Sequence, residues 1–508
     1  MAKLLWESNL SIRATTASPS KAKTRRQRQF VSQCNFQRIG AAVLTVTLST
    51  LLIETAASAD SIKPRVVVLT DIGADVDDQQ SLVRLLVYSN EIEIEGLTAA
   101  TSVFQPSTVQ PALIEERVRA YGRVRANLLA HAKGYPTMTA LLGRIHSGSP
   151  VLGMSGVGEG KETAGSQSII AAVDRRDSRP LWVSIWGGAA DLAQALWTVR
   201  ATRSKAGLDR FVSRLRVYAI SDQDEAGPWI RSNFPQIFWI GQPEDVQKAA
   251  QRATWLGISV PYAGSSSTTV SKAWLETYIR SKGPLGAVYP ASKFITEGDT
   301  PAFLALIGNG LGNPERPDWG SWGGRYVKSG GPPGLWSQAA DTLPDGKGGT
   351  VTSDQATIWR WRDAYQSDFA ARMEWSVSPR RKDGNQPPVV KLNGVGGDAP
   401  LTITACAGQV ISLTANGSID PDHQPLNYRW WQYREAGGAE SPSAVIANAS
   451  SIRTSVALPL VTAAHRGYQI HIVLEVTAGG AVPITRYRRA IITAVNGSGR
   501  TASGRACL

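Results

Sequence analysis

The stretch Val66-Val67-Val68-Leu69-Thr70-Asp71-Ile72-Gly73-Ala74-Asp75-Val76-Asp77-Asp78-Gln79-Gln80-Ser81 decides the fold. Its opening run is apolar and mostly β-branched, which reads as a buried strand. Past it, Leu82, Val83, Leu85, Leu86 and Val87 recur at helix spacing. Between the two lie four aspartates and one glycine. A strand that enters a helix through an acidic turn sets its carboxylates at the carboxyl edge of a sheet, where open α/β sheets bind ligands.

Carboxylates this close repel one another unless a positive charge sits among them. A hard divalent cation answers that need, since Ca²⁺ takes about six to eight oxygen ligands. Helix capping is the plainer alternative, with Asp77 and Asp78 where the macrodipole favours anions. Capping leaves Asp71, at the strand end, without a reason. No soft ligand accompanies the acids, which excludes a zinc or copper site of the usual kind.

Asp71-Ile72-Gly73 followed by Asp77-Asp78 resembles the Asp-Pro-Gly-x-Asp-Asp signature of the nucleoside hydrolases, with Ile72 in place of proline and two extra residues before the Asp pair. The run from Thr70 to Leu86 is similar to a branch of secreted nucleoside-hydrolase-like proteins, also labelled cellulose-binding, that carry a C-terminal β-sandwich. The resemblance is close over residues 65–96 and recurs in pieces to about 375. It implies an open, mostly parallel α/β sheet and one Ca²⁺ per chain. It also implies cleavage of a glycosyl bond. By motif position Asp71 and Asp78 are metal ligands and Asp77 is the base that takes a proton from water. The two-residue insertion keeps Asp75 as a rival for that role.

Further along, Ile92–Thr101 reads as the second strand, with Ser102 ending it beside the acidic turn. Residues 109–131 read as a helix. Leu181–Trp186 reads as a strand that turns through Gly187-Gly188 into a helix bearing Asp191. This segment resembles one in which the residue before the glycines gives its backbone carbonyl to the metal, here Trp186; Asp191 stands where the family has asparagine. A strand–turn–helix packed through glycines is the plain reading. Val217–Glu225 repeats the theme of strand, then acids, and offers Asp222, Asp224 and Trp229 to a sugar pocket; a solvated acidic loop is the alternative. Asp299, before a helix, fits the family's late metal ligand, with Gly298 where the family has histidine. Thirteen of the sixteen tryptophans fall between residues 182 and 375, so Trp319 and Trp322 in a glycine-rich loop are candidates for stacking on sugar, against the usual fate of partly buried core.

Leaving-group chemistry is thinly served. His131 and His146 lie away from the acidic turns, which favours an O-glycoside over a nucleobase; Glu225 or Glu297 is left as the acid. A carbohydrate-binding protein without catalysis is the second reading, and turnover separates the two. The expected ligand is a carbohydrate or a nucleoside-like small molecule.

The 508 residues allow two or three domains. The formal charge of +13 overstates the basicity, because residues 1–59 carry eight Lys/Arg and two acids. The rest has no concentrated basic run, so nucleic acid is not an expected partner. Residues 41–53 form an apolar segment preceded by arginines and followed by Ala57-Ser58-Ala59, the pattern of an export signal cleaved before Asp60. A secreted or periplasmic protein with no membrane span is expected, its oligomeric state open. Residues 60–375 then form the nucleoside-hydrolase-like domain, 376–389 a linker, and 390–508 an Ig-like β-sandwich built from short alternating segments. Removal of the signal takes Cys34 with it, leaving Cys406 and Cys507 as the expected disulfide.

Overall fold

The apolar run before the acids forms strand β1 (Arg65–Thr70), buried at every position. Val66 and Val68 feed one hydrophobic core, Val67 and Leu69 the other. Both faces of the sheet are therefore covered, which is why the strand is continuously apolar rather than alternating. The computed structural model describes residues 63–242, 254–328, 330–438, 441–460 and 467–495. The export signal and Cys507 lie outside the described residues.

The acidic turn leads into helix α1 (Asp77–Val87). Next come β2 (Glu93–Ala99), α2 (Pro111–His131), β3 (Ile145–Ser147), α3 (Ala164–Asp174), β4 (Leu181–Ile185), α4 (Ala190–Thr202), β5 (Leu215–Ala219), α5 (Ala226–Asn233) and β6 (Phe238–Ile240). A short helix α6 (Pro301–Leu304) precedes β7 (Tyr326–Lys328) and β8 (Leu335–Gln338). The sheet has eight strands in the order β3-β2-β1-β4-β5-β6-β8-β7, parallel but for β7 against β8. Chain order reverses between β1 and β4. The crevice at such a reversal is where doubly wound sheets hold their ligands, and Asp71 follows β1 directly.

A hairpin of β9 (Asp341–Pro344) and β10 (Thr350–Ser353) and helix α7 (Arg362–Val377) complete this part. The C-terminal part has two sheets. One orders β11 (Leu401–Cys406), β17 (Ile484–Val495), β16 (Gly467–Ala478) and β13 (Leu426–Gln432). The other orders β12 (Val410–Thr414), β15 (Arg453–Ala457) and β14 (Val445–Ala447). They enclose a core that includes Trp430, Leu413, Val456 and Ile492. Six of these seven strands follow the alternation in the sequence; β14, at three residues, is too short to show one.

The outer face of the four-stranded sheet is covered. Trp431 packs on Trp361 with ring centroids 5.7 Å apart, and the Trp322 indole N–H donates to the Tyr487 hydroxyl at 3.3 Å. Arg486 pairs with Asp368 of α7 at 2.5 Å, in the interior. Residues 376–389 are laid down rather than loose: the Trp375 indole donates to the Asn385 carbonyl at 2.8 Å, and His131 Nε2 meets the Ser378 carbonyl at 2.8 Å. Cys406 is disulfide-bonded. Among the described residues no helix is long and apolar enough to cross a membrane.

Candidate metal and sugar site

Asp71 leaves β1 at its carboxyl end and is buried. Its carboxylate accepts from the Ser102 hydroxyl, beyond the end of β2. Its backbone is fixed by Ala74 N donating to Asp71 O at 2.9 Å and by Gln105 Nε2 at 3.3 Å. Gly187, just past β4, comes so close that a Cβ there would stand 2.7 Å from Asp71 Cβ. A side chain at 187 would displace the acid.

Asp77 and Asp78 occupy the first turn of α1, where the helix dipole favours anions. The N-cap residue is Val76, which has no side-chain cap, so capping does not account for the acids. Asp78 is buried and accepts from the Thr70 hydroxyl. Asp77 is half-buried, under Gly298: a Cβ at 298 would lie 2.6 Å from Asp77 Oδ2 and 3.1 Å from the Trp255 ring. The histidine of the resembled motif has no room here. Asp75 hydrogen-bonds the following backbone N–H at 2.6 Å.

Asp299 comes from an irregular segment just before α6, not from a strand end. Its Oδ2 is buried without a hydrogen-bond partner. Oxygens of Asp77, Asp78 and Asp299 lie within 4.8 Å of one another. Burial and the Asp75 and Asp71 charges push the Asp77 carboxyl up to about 7. Burial pushes Asp71 up to about 6 against the Ser102 hydrogen bond. Burial and neighbouring aspartates hold Asp78 and Asp299 well above the usual carboxylate range. The charges acting most strongly on all four are those of other aspartates. Such a donor set, oxygen-only, buried and unneutralised, fits a hard divalent cation. The Trp186 carbonyl accepts from Gln223 Nε2 at 2.6 Å, and Gln223 Oε1 has no partner.

The structure gathers Asp71, Asp75, Asp77, Asp78, Asp299 and Ser102, and sets Trp186 beside Gly187. It gives the other expected residues different work. Asp191 is buried and accepts from Ser149 N and the Thr163 hydroxyl, tying α4 to two loops. Asp222 is paired with Arg231 at 2.5 Å. Asp224 accepts from Ala189 N at 2.9 Å and Ala226 N at 3.0 Å, bridging the starts of α4 and α5. Trp229 lies against Arg200 and Phe234. Glu297 is buried on Arg84, with the Tyr289 hydroxyl at 2.7 Å and the Thr300 hydroxyl at 2.9 Å. Trp319 sits under Arg316 and beside His471. Trp322 is 0% exposed and cannot meet a sugar. Each of these side chains thus has a protein partner, some near in sequence, as Arg316 is to Trp319, and some remote, as Arg84 is to Glu297.

Thr70, Gln105, Gln223 and Trp255 went unnoticed in the sequence. Thr70 stood in the motif beside Asp71. Gln223 lay between two acids that drew attention, yet it is the amide that reaches Trp186.

Comparison with known families and structures agrees with this fold. The family described as cellulose-binding Sde182, nucleoside hydrolase-like domain, matches residues 65–326, and that described as cellulose-binding protein Sde0182, C-terminal domain, matches residues 410–494. A solved structure of a nucleoside hydrolase-related hypothetical protein from Saccharophagus degradans, associated with carbohydrate metabolism, is 37% identical, with a TM-score of 0.72, over 85% of this chain and 99% of that one. An endo-fucoidan hydrolase of glycoside hydrolase family 107 is 10% identical with a TM-score of 0.16 over 85% of this chain and 80% of that one, too low to bear on fold or function. The comparison with curated proteins gave no match.

Proposed function

This chain belongs to the cellulose-binding Sde182 nucleoside hydrolase-like family, and we propose that its acidic site holds one Ca²⁺ ion and hydrolyses a glycosyl bond. The substrate is a sugar of a plant or microbial polysaccharide, or a nucleoside-like N-glycoside. The observation that carries this reading is the convergence of four aspartates whose strongest charged neighbours are other aspartates, one of them with an unpartnered buried oxygen.

Asp71, Asp78, Asp299 and the Trp186 carbonyl would hold the ion, which supplies orientation of sugar hydroxyls and a water of lowered pKa. Ser102 and Gln105 fix Asp71, and Gln223 fixes the Trp186 carbonyl. Asp77, the partly exposed member of the cluster, takes the proton from the attacking water as general base. Water attacks the anomeric carbon as its proton passes to Asp77, the glycosyl bond breaks through an oxocarbenium-like state, and the leaving oxygen or nitrogen takes a proton from solvent water. The export signal expected in residues 41–59 puts the site outside the cytoplasm, where polysaccharide is met.

A second reading, binding without turnover, draws on the leaving-group side. Glu297 is committed to Arg84. Glu225 is exposed but accepts from Met154 N at 2.8 Å. The test is product release from ribonucleosides, aryl glycosides and oligosaccharides, with Ca²⁺ or with chelator. Hydrolysis abolished by chelation and by Asp71→Asn supports the enzyme. Ca²⁺-dependent sugar binding with no product leaves the binder. Turnover indifferent to chelation sinks the metal.

A further inference from the structure

Two exposed phenylalanines stand on the loops that build the acidic site. Phe104 is 56% and Phe294 68% exposed. Scattered exposed apolar residues are ordinary on any protein. These two ride on loops tied to the acids themselves.

Phe104 lies at the tip of a closed turn. Ser102 N donates to Gln105 O at 3.2 Å and Gln105 N returns a bond to Ser102 O at 3.0 Å. The Ser102 hydroxyl accepts from Phe104 N at 3.0 Å while it donates to Asp71. Val103 N donates to the Gln223 carbonyl at 2.9 Å, and Gln223 holds the Trp186 carbonyl. The loop that carries the ring is thus fixed to Asp71.

Phe294 is referenced to the helix that bears Asp77 and Asp78. Gln80, two residues past Asp78, donates to Pro290 O at 3.0 Å and to the Ser292 hydroxyl at 3.2 Å, and accepts from Glu297 N at 2.9 Å. Ser292 and Thr296 bond across the loop at 2.6 Å. One amide side chain therefore clamps both ends of the segment that carries Phe294. The same segment continues to Gly298, against Asp77.

We propose that Phe104 and Phe294 are stacking platforms for sugar rings that flank the one held at the acids, so that the ligand is an oligosaccharide strand rather than a single glycoside or nucleoside. The proposal rests on reading the acidic site as a sugar site. Aromatic faces pair with the apolar faces of pyranose rings. Loops already closed by hydrogen bonds lose little freedom when a ligand binds. Among the described residues, the large apolar side chains exposed in the β part are all aliphatic. The outer face of its three-stranded sheet shows Val410, Ser412, Arg453 and Val445, while Trp431 and Tyr487 of the other sheet are packed inward.

The experiment is calorimetric titration of the mature protein, in Ca²⁺, with β-1,4-linked gluco-oligosaccharides of one to six units. Affinity should climb with length. Phe104→Ala and Phe294→Ala should each weaken the six-unit ligand by about 2- to 10-fold, and together multiplicatively, leaving the one-unit ligand unchanged. Phe→Tyr at either site should restore binding. Both rings are solvent-exposed, and an unshifted melting temperature certifies each variant as folded. Affinity independent of length, six-unit binding indifferent to both alanines, or no binding at any length overturns the proposal. Asp71→Asn separates it from the reading beneath. Loss at every length upholds the acidic site, whereas survival of phenylalanine-dependent six-unit binding sinks that reading and keeps the platforms.

Discussion

Asp299→Asn should stabilise the protein in chelator and destroy its response to Ca²⁺. Oxygens of Asp77, Asp78 and Asp299 lie within 4.8 Å of one another. At an effective dielectric constant of ~20, each fully ionised pair at that separation costs about 3 kcal/mol. Partial protonation relieves some of it, so removing one charge should return about 1–3 kcal/mol to the metal-free protein. In wild type, Ca²⁺ at a hundred times its Kd adds about 3 kcal/mol by mass action. The variant, stripped of a ligand with an unpartnered buried oxygen, should gain nothing. A chain of this length unfolds with an entropy near ~1 kcal/mol/K, so each kcal/mol moves Tm by about 1 °C. Scanning calorimetry at neutral pH, with Ca²⁺ or chelator, reads both effects. The sign with pH follows from the raised carboxyls, at about 6 for Asp71 and about 7 for Asp77. A folded pKa above the unfolded one costs stability as pH rises through that window. Chelated wild type should therefore be more stable near pH 5 than near pH 8, and the variant should be flatter. A variant that melts lower than wild type in chelator, or keeps the full Ca²⁺ shift, refutes the reasoning.

Three further expectations are independent of that one. Asp77→Asn should keep the Ca²⁺-induced Tm shift and lose about 10²- to 10⁴-fold in glycoside turnover, read as kcat; unchanged kcat would move the base to Asp75. Burial works against Asp368, but Arg486 and Arg372 hold its carboxyl down to about 2. That contribution is complete above about pH 4, is lost as pH falls towards 2, and amounts to about 2 kcal/mol; Arg486→Met should shift the acid-unfolding midpoint, followed by near-UV circular dichroism, to higher pH, and an unmoved midpoint counts against it. Trp322→Ala should lower stability by about 3–5 kcal/mol through the cavity it leaves and yet leave sugar affinity intact, as calorimetry with the same oligosaccharides would register.

The run Val66–Leu69 announced a buried strand because a strand covered on both faces has no polar alternate residue. The acidic turn was legible for the same local reason: its aspartates are neighbours in sequence, so their crowding needed no tertiary contact to be noticed. Asp299 could be reached only through the resemblance, since more than 200 residues separate it from the turn. Asp191, Asp222, Asp224 and Glu297 drew notice because an acid ahead of a helix looks the same in sequence whether it faces a ligand or a buried partner. Arg231 and Arg84, which answer two of them, carry no mark in the sequence of that duty. Tryptophan density likewise reports aromatic mass, not its side; Trp322 and Trp361 went into the contact with the β part.

That contact fixes how the two parts of the molecule can move. A module on a free tether searches a surface while its partner waits; here Trp361, Trp431, Tyr487 and the Asp368–Arg486 pair leave no tether to swing. The acids and the β part must therefore keep one relative orientation and move together. Cutting the chain at 376–389 would thus yield two fragments each exposing half of a hydrophobic seam. Studies of either half alone would then report on aggregation before they reported on sugar.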